Sequence, residues 1–514
     1  MSSPQRANEA QQVVTACAGP SQRAVAVQMT PVKSVADACL LLSLICPSQM
    51  HQPGTPGYEH ARASFWNQTQ AEAVPAGIFQ PETAAQVSLA IVVCRHTSCP
   101  FAVKSGGHGK WCGESSINGG LLIDLARMKQ IQLSKHQSTV AVGPGNRWSD
   151  VYAALEPLGI TVVGGRASGV GVGGFLLGGG ISWYSNLYGW GCDNVRSYEV
   201  VLRDGTIVTA SKDSHRDLYK CLRGGAGNFG VVTSFELETY PYTGMWGGRK
   251  AFEYQHGQAA MQAFIDTGLI SDGEDPKSFF ILGLATTDEK AWVWGASLAY
   301  CDAVHTSPVC FKAIDAIPSV ADDCALRDQT ECVARMQESY PPWLQHCLWA
   351  FATQVDLPTL QICCRIWQEE MQSLVDQLDW FKPVLAIQYT TEAVVEGAAR
   401  NGGNILGLSS TRPFIMYNAE PRWRHARDNL RVSKAIDKAF ERMHAEAQRR
   451  GTSHEYRYSN YASEYQDPLR SYGPDANEIL RDVSRRYDPD SVFQTLRTSG
   501  FNLSGAPRGD LRRE

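Results

Sequence analysis

The sequence predicts an α+β protein built in two parts, and three observations carry this prediction. Long glycine clusters are confined to the chain before residue 242. From about 245 to 455 they disappear, and apolar strands are mixed with helical patterns, which is typical of an antiparallel sheet backed by helices. A tyrosine-rich tail follows from residue 456. At 514 residues the chain exceeds the size of a single hydrophobic core, which agrees with more than one domain.

Strands and helices alternate at the start of the first part, after a helical lead-in over residues 1–69. The predicted elements are a helix at Ala36–Ile45, a strand at Ala76–Pro81, a helix at Glu82–Cys94 and a buried strand at Phe101–Val103. The last strand leads directly into the glycine-rich segment Lys104–Gly109. This strand–helix–strand unit therefore delivers a glycine loop, as in nucleotide-binding folds.

The remaining elements follow from the same patterns. In the first part, residues 70–242, they are strands at Leu121–Leu125 and Thr139–Gly143, a helix at Trp148–Leu158, a hairpin of Tyr198–Leu202 with Thr206–Thr209, a helix at Asp217–Arg223 and a strand at Val231–Leu237. In the second part, residues 245–455, they are helices at Ala259–Thr267, Trp367–Trp380 and Leu430–Arg449 and strands at Ser278–Leu282 and Val384–Tyr389. Trp292 and Trp294 share one strand face, where core packing is the commoner use of tryptophan. The tail, 456–505, holds a short helix at Asn477–Arg486.

Three glycine-rich segments indicate a large phosphate-bearing ligand. They are Lys104–Gly109, Gly164–Gly180 and Gly224–Gly230. Closely spaced glycines let backbone N–H groups approach an anion that side chains would keep away. The run Gly178–Gly180 falls inside what would be the first helix of an NAD-type Rossmann fold, so that fold is disfavoured.

The composition of the chain limits the kinds of molecule that we expect it to bind. The net charge of −5 provides no basic surface for nucleic acid or anionic membrane, so we expect a small-molecule substrate. The fifteen cysteines lack the paired spacing of a zinc site, and no metal is expected; a bridge from Cys39 to Cys94 or Cys99 remains open. Residues 1–29 lack the order of a secretory signal, and the sequons at Asn67 and Asn502 are interpreted as chance matches. We expect a cytoplasmic monomer.

The three glycine-rich segments together indicate a protein family more specifically than any one of them does alone. In order and spacing, Lys104–His108, Val170–Gly180 and Gly224–Thr233 resemble the FAD domain of the vanillyl-alcohol-oxidase family, known as the PCMH type. The tail segments Tyr458–Ala462 and Tyr487–Gln494 resemble the C-terminus of the berberine-bridge-enzyme branch. The similarity is strongest to fungal FAD-linked oxidases of secondary metabolism. It implies a PCMH-type FAD-binding part, completed by the tail, and a separate substrate domain.

The resemblance also implies roles for individual residues. Those assigned to the cofactor are Lys104, Ser105, Gly106, Gly107, His108, Gly109, Val170, Gly171, Gly173, Gly174, Gly178, Gly225, Asn228, Phe229, Gly230, Val231 and Asn460. His108 matches the histidine that bonds the flavin 8α-methyl group. Bicovalent relatives add a cysteine three residues before the Val-Gly pair, where this chain has Ala167. FAD is therefore predicted to be covalently linked through His108 only.

Tyrosines of the tail are the candidates for acid–base chemistry. Tyr461 matches the tyrosine that several relatives use as a base, with Tyr458 and Tyr456 as alternates. A tyrosine that only packs on the flavin is the competing interpretation. Val170 matches the position where family oxidases carry a small residue and dehydrogenases a leucine, which favours dioxygen as the acceptor.

These assignments predict an FAD-dependent oxidase. The reaction would be a two-electron oxidation of a small organic secondary metabolite, as alcohol oxidation or oxidative cyclisation. A carbohydrate oxidase, a dehydrogenase and a flavin-binding protein without net redox chemistry are the alternatives.

Overall fold

The computed structural model describes residues 34–338, 344–408, 412–509 and 511. The strands are β1 Met50–His51, β2 Gly77–Phe79, β3 Phe101–Lys104, β4 Leu121–Asp124, β5 Ile131–Leu133, β6 Thr139–Val142, β7 Ile160–Thr161, β8 Val195–Val201, β9 Ile207–Ser211, β10 Val231–Glu238, β11 Tyr240–Pro241, β12 Met245–Glu253, β13 Ser278–Thr286, β14 Trp292–Tyr300, β15 Ala321–Asp322, β16 Ala325–Arg327, β17 Gln345–His346, β18 Trp349–Gln354, β19 Phe381–Lys382, β20 Leu385–Thr390, β21 Phe414–Ala419 and β22 Arg422–Trp423. The predicted α+β class is confirmed.

Helices occur throughout the described chain. They are Val35–Ile45, Pro56–Ala63, Gln68–Ala71, Ala84–Thr97, Trp148–Leu155, Val172–Leu177, Ser185–Tyr188, Arg216–Leu222, Gly257–Gly273, Lys312–Asp315, Gln329–Glu338, Leu357–Gln377, Glu392–Gly397, Asn429–Arg450, Pro474–Tyr487 and Val492–Thr495. The helix predicted from Trp367 begins earlier, at Leu357, because Asp356 caps it by accepting a hydrogen bond from the Thr359 N–H.

Two sheets organise the first part of the chain. One has the strand order β1-β2-β4-β3, in which β2 and β3 run parallel to β4. The other is antiparallel, in the order β5-β6-β10-β8-β9. Strand β1 pairs with β2, so the first sheet draws on residues before 70. Strand β3 ends at Lys104 and thus presents the first glycine loop at the sheet edge.

The second part is dominated by one eight-stranded antiparallel sheet, in the order β15-β12-β14-β13-β20-β21-β18 with β16 paired to β12. One face packs on the helices Gly257–Gly273, Leu357–Gln377 and Asn429–Arg450. Trp294 lies in the core between the sheet and these helices, and Trp292 packs against that core. Trp292 Nε1 also donates to Gln372 of the helix Leu357–Gln377, so both tryptophans contact the helices. Because side chains alternate along strands, the opposite face is left for the first part of the chain.

The tail returns to the first part. The Phe101 N–H donates to the Leu496 carbonyl at 2.8 Å, and the Phe493 ring meets Phe101 edge-on. Nearby, Cys39 lies with Cys94 and Cys99 in one core cluster, and all three are free thiols. Asn67 is fully buried and donates to the carbonyl of Lys110, which leaves no room for a glycan.

Within the described ranges, no helix has both the length and the apolar composition needed to cross a membrane. The predicted absence of a signal in residues 1–29 lies outside the described residues.

Candidate active site

A cavity of about 600 Å³ lies between the glycine loops of the first part and the face of the large sheet that carries no helices. Most residues assigned to the cofactor line it: Ser105, Gly106, Gly107, His108, Gly109, Val170, Gly171, Gly173, Gly174, Gly178, Gly230, Val231 and Asn460. Tyr458 and Tyr461 line it too. The structure therefore brings segments from three regions of the chain to one cavity.

The cavity wall consists mostly of backbone atoms where the first two glycine-rich segments meet. A Cβ atom added to Gly106 would lie 2.5 Å from the Gly171 Cα atom, so only glycine allows this approach. Ser105 fixes the contact, because its hydroxyl accepts from the Gly173 N–H at 3.1 Å and donates to the Pro144 carbonyl. The result is a cradle of backbone groups that suits a phosphate-bearing ligand.

His108 stands at this cavity with an unused ring nitrogen. Its ring is stacked on Trp66, with centroids 4.2 Å apart and planes within 5°. Burial lowers the pKa of His108 to about 3, so the imidazole is neutral at physiological pH. Its Nε2 is buried and makes no hydrogen bond within the described part of the chain. A neutral ring with a free nitrogen fits the flavin linkage that the sequence predicts.

Lys104, Gly225, Asn228 and Phe229 were also assigned to the cofactor, but they do not line the cavity. The Lys104 ammonium donates to Ser64 and forms a buried ion pair with Asp124 at 3.2 Å. Asn228 bonds the Gly225 carbonyl and accepts from Arg497 of the tail. Phe229 lies in the core of the first part, so the side chains of Lys104, Asn228 and Phe229 are directed away from the cavity.

In the same segment, Ala226 and Gly227 reach the cavity instead. Gly230 and Val231, at the start of strand β10, also line the cavity, whereas the Phe229 ring just before them packs in the core.

The tail tyrosines occupy three different environments. The Tyr458 hydroxyl accepts from the N–H groups of Gly180 and Ile181 at 2.9 and 3.1 Å, and burial raises the pKa of Tyr458 above its ordinary value. Tyr456 is buried away from the cavity, with no partner for its hydroxyl among the described residues. The Tyr458 hydroxyl also accepts from the Asn460 side chain, whereas the Tyr461 hydroxyl meets polar side chains from other parts of the chain.

The tail turn that carries Tyr461 docks on the last glycine run. Asn460 donates to the Phe175 carbonyl at 3.1 Å, and Ser459 donates to the Gly178 carbonyl at 3.0 Å. A Cβ atom on Gly178 would lie 2.0 Å from the Asn460 side chain, so this glycine makes room for the tail. The docking fixes where Tyr461 enters the cavity.

Sequence reasoning missed two residues that meet Tyr461. Arg166 donates to the Tyr461 hydroxyl at 2.5 Å and to Gln388 Oε1 at 2.7 Å. Gln388 Nε2 lies 3.0 Å from the same hydroxyl. The signals were a charged residue inside a glycine loop and a lone polar residue within the apolar strand β20.

Known proteins resemble both the sequence and the structure. Residues 75–211 match the sequence family described as an FAD binding domain. The FAD-dependent monooxygenase tpcD of Cochliobolus heterostrophus is 33% identical over 491 residues, which cover 91% of this chain and 94% of that protein.

Two solved structures have the same fold. One is 6-hydroxy-D-nicotine oxidase from Arthrobacter nicotinovorans, with a TM-score of 0.71 and 20% identity over 88% of this chain and 97% of that one. The other is the BBE-like 1 protein of Physcomitrella patens, with a TM-score of 0.71 and 18% identity over 88% of this chain and 97% of that one. The glycine cradle, the neutral histidine and the polar cluster surround one cavity, as an FAD enzyme requires. Together with the similarity to these relatives, this shows that the chain belongs to the family of FAD-dependent oxidoreductases with this FAD binding domain.

Proposed function

We propose that the chain oxidises a hydroxyl group of a small organic molecule by two electrons, with dioxygen as the final acceptor. The observation that carries this proposal is the opening of the glycine cradle and the Tyr461 hydroxyl into one cavity. When bound, FAD supplies the two-electron acceptor that such an oxidation needs.

Tyr461 is the residue best suited to take the substrate's hydroxyl proton. General-base catalysis requires an acceptor within hydrogen-bond reach of that proton. The Tyr461 hydroxyl lies in the cavity and accepts hydrogen bonds from the side chains of Arg166 and Gln388, which hold its oxygen in place. Tyr458 is less suited because backbone N–H groups occupy its oxygen and burial raises its pKa.

The residues around the cradle support a single covalent bond to FAD, through His108. Its neutral imidazole and free Nε2 provide the nucleophile. Ala167 lines the cavity where bicovalent relatives carry a cysteine, and no cysteine of the described residues lines it.

Val170 also lines the cavity and supports dioxygen as the acceptor.

A second candidate function is favoured by the name of the relative, FAD-dependent monooxygenase. In that reaction one oxygen atom enters the product and an external reductant is consumed. In an oxidase no oxygen is transferred, and peroxide forms in an amount equal to the substrate oxidised.

The test is a screen of planar aromatic alcohols and saccharides against the FAD-loaded protein. We expect an aromatic alcohol to bleach the flavin absorbance without oxygen, and the same compound to give one peroxide per product in air. Bleaching without peroxide would indicate a dehydrogenase. Product that contains oxygen from labelled dioxygen, formed only with added NADPH, would indicate a monooxygenase. If no compound changes the redox state of the flavin, the result would indicate a flavin-binding protein without redox activity.

A planar substrate is favoured by the sheet face that borders the cavity. Gly283 of β13 lies directly opposite Gly295 of β14 on one side and Ala386 of β20 on the other, and all three line the cavity. A Cβ atom on Gly283 would meet only the Gly295 carbonyl, at 3.7 Å, so protein packing does not require glycine there. Glycine inside a strand often marks close approach of a ligand.

Replacing Gly283 with valine is expected to raise the KM of the screened aromatic alcohol by about tenfold or more, because the added methyl groups occupy the space for its ring. FAD loading should stay as in the wild type. Steady-state peroxide formation and flavin absorbance measure the two effects. Ala325→Val, on the exposed strand β16 of the same sheet, is the matched control. An unchanged KM in Gly283→Val would exclude this face from the substrate site.

A further inference from the structure

The loop that carries His108 is held by a segment that precedes the matched FAD binding domain. Residues 64–67 connect the helices Pro56–Ala63 and Gln68–Ala71, whereas the family match begins at residue 75. Hydrogen bonds join this segment to the loop on both sides of His108, so the fold fixes where Trp66 stands relative to the histidine. The bonds run from Lys104 Nζ to Ser64 Oγ at 2.6 Å, from the Trp66 N–H to the Gly107 carbonyl at 3.0 Å, and from Asn67 Nδ2 to the Lys110 carbonyl at 2.6 Å.

Trp66 contacts His108 through the flat faces of the two rings. The ring centroids are 4.2 Å apart and the planes are within 5° of parallel, and both residues line the cavity. A ring stacked in this way covers one face of the imidazole and restricts its rotation about the bond to Cβ. It does not cover the edge that carries Nδ1 and Nε2. The stack therefore orients the imidazole without occupying either nitrogen.

A carboxylate, which often orients a reactive histidine through a hydrogen bond, does not orient His108. Among the residues that the structure describes, no acidic side chain forms an ion pair with it. Glu114 pairs instead with Lys110 at 2.8 Å, and Asp124 pairs with Lys104 at 3.2 Å. The Trp66 ring is thus the side chain best placed to fix the orientation of the imidazole.

Formation of a flavin bond depends on this orientation. One ring nitrogen of His108 would bond the 8α carbon, while the flavin methyl group loses one hydrogen and the imidazole loses its N–H proton. The two electrons of the broken C–H bond pass to the flavin, and dioxygen then takes them with two protons to form hydrogen peroxide. Such a reaction requires the reacting atoms to be aligned at about 3–3.5 Å, so an imidazole that rotates freely reacts more slowly.

We propose that Trp66 is a positioning residue that, by stacking, holds the His108 imidazole in the orientation from which it bonds the flavin. This inference rests on the proposed bond at His108. A wild-type protein that forms no bond would overturn both proposals. A wild-type protein that forms the bond, but no faster than a variant without the stack, would overturn only the role of Trp66. Oxidation of the substrate is assayed separately.

The test follows bond formation in the full-length chain, produced without flavin in a riboflavin-limited host and then mixed with saturating FAD in air. Acid precipitation at successive times measures the bonded flavin, and quenching of flavin fluorescence on mixing measures binding before the bond forms. In Trp66→Leu we expect the bond to form at least about tenfold more slowly than in the wild type, because leucine is apolar but has no flat face. The affinity for FAD before bonding should be unchanged.

Trp66→Phe and Phe65→Leu are the controls. Trp66→Phe keeps an aromatic face and should restore most of the wild-type rate. The Phe65 ring belongs to the same segment, but it lies 4.9 Å from the Lys104 ammonium and packs against a separate core cluster, so Phe65→Leu should bond flavin at the wild-type rate.

A wild-type rate in Trp66→Leu would overturn the proposal. Slowing in Trp66→Phe or in Phe65→Leu equal to that in Trp66→Leu would overturn it as well, because the stacked face would then not be what matters. If Trp66→Leu does not bind FAD, Trp66→Met decides, since its flexible chain fills the space without a flat face. Slower bonding is expected in that variant, and a wild-type rate would contradict the proposal.

Discussion

Tyr461→Phe is expected to slow anaerobic flavin reduction by about 10²- to 10⁴-fold, the range typical of a lost general base. FAD loading should be unchanged, because the hydroxyl is bonded to Arg166 and Gln388 and not to the residues of the cradle. Stopped-flow absorbance with the aromatic alcohol found in the screen measures the rate.

Tyr456→Phe provides the matched control for this prediction. Its hydroxyl is buried, makes no hydrogen bond within the described residues and does not line the cavity. Removing an unsatisfied buried hydroxyl costs little stability, so wild-type reduction is expected. A rate within twofold of wild type in Tyr461→Phe would remove this residue as the base.

His108→Ala is expected to abolish covalent attachment of the flavin. Acid precipitation of the wild type should carry the flavin down with the protein, whereas in the variant all of it should remain in solution. The reason is that we propose as the nucleophile the neutral His108 imidazole, whose Nε2 has no hydrogen-bond partner among the described residues. Flavin absorbance in the pellet and the supernatant measures the distribution.

His346→Ala is the control for the histidine prediction. His346 is buried and packs on the same Trp66 ring as His108, with centroids 4.4 Å apart, but it does not line the cavity. It should keep the flavin in the pellet. Flavin that stays with the protein in His108→Ala would place the bond elsewhere.

Much of the fold was predictable because its signals are local. The strand–helix–strand unit before Lys104 and the glycine loops follow from short-range patterns, and the structure contains each strand and helix predicted between Ala36 and Arg486. Strands β18 and β21 were not predicted, since both are buried almost throughout and lack the alternation of a half-exposed strand.

The candidate site was predictable only in part, because its polar cluster is assembled by tertiary contacts. Arg166 is separated from Gln388 by 222 residues and from Tyr461 by 295 residues. No local pattern links them. Similarly, Lys104 and Asn228 stand in motif segments, but whether their side chains face the cavity or the core depends on partners such as Asp124 and Arg497.

The most direct test of the central claim, a single flavin bond at His108, is peptide mapping of the wild-type protein by mass spectrometry. Protease digestion should yield one flavin-modified peptide, which contains His108, while the peptide that contains Ala167 is recovered unmodified. A His108 peptide without flavin, or a second modified residue in any other peptide, would contradict the claim.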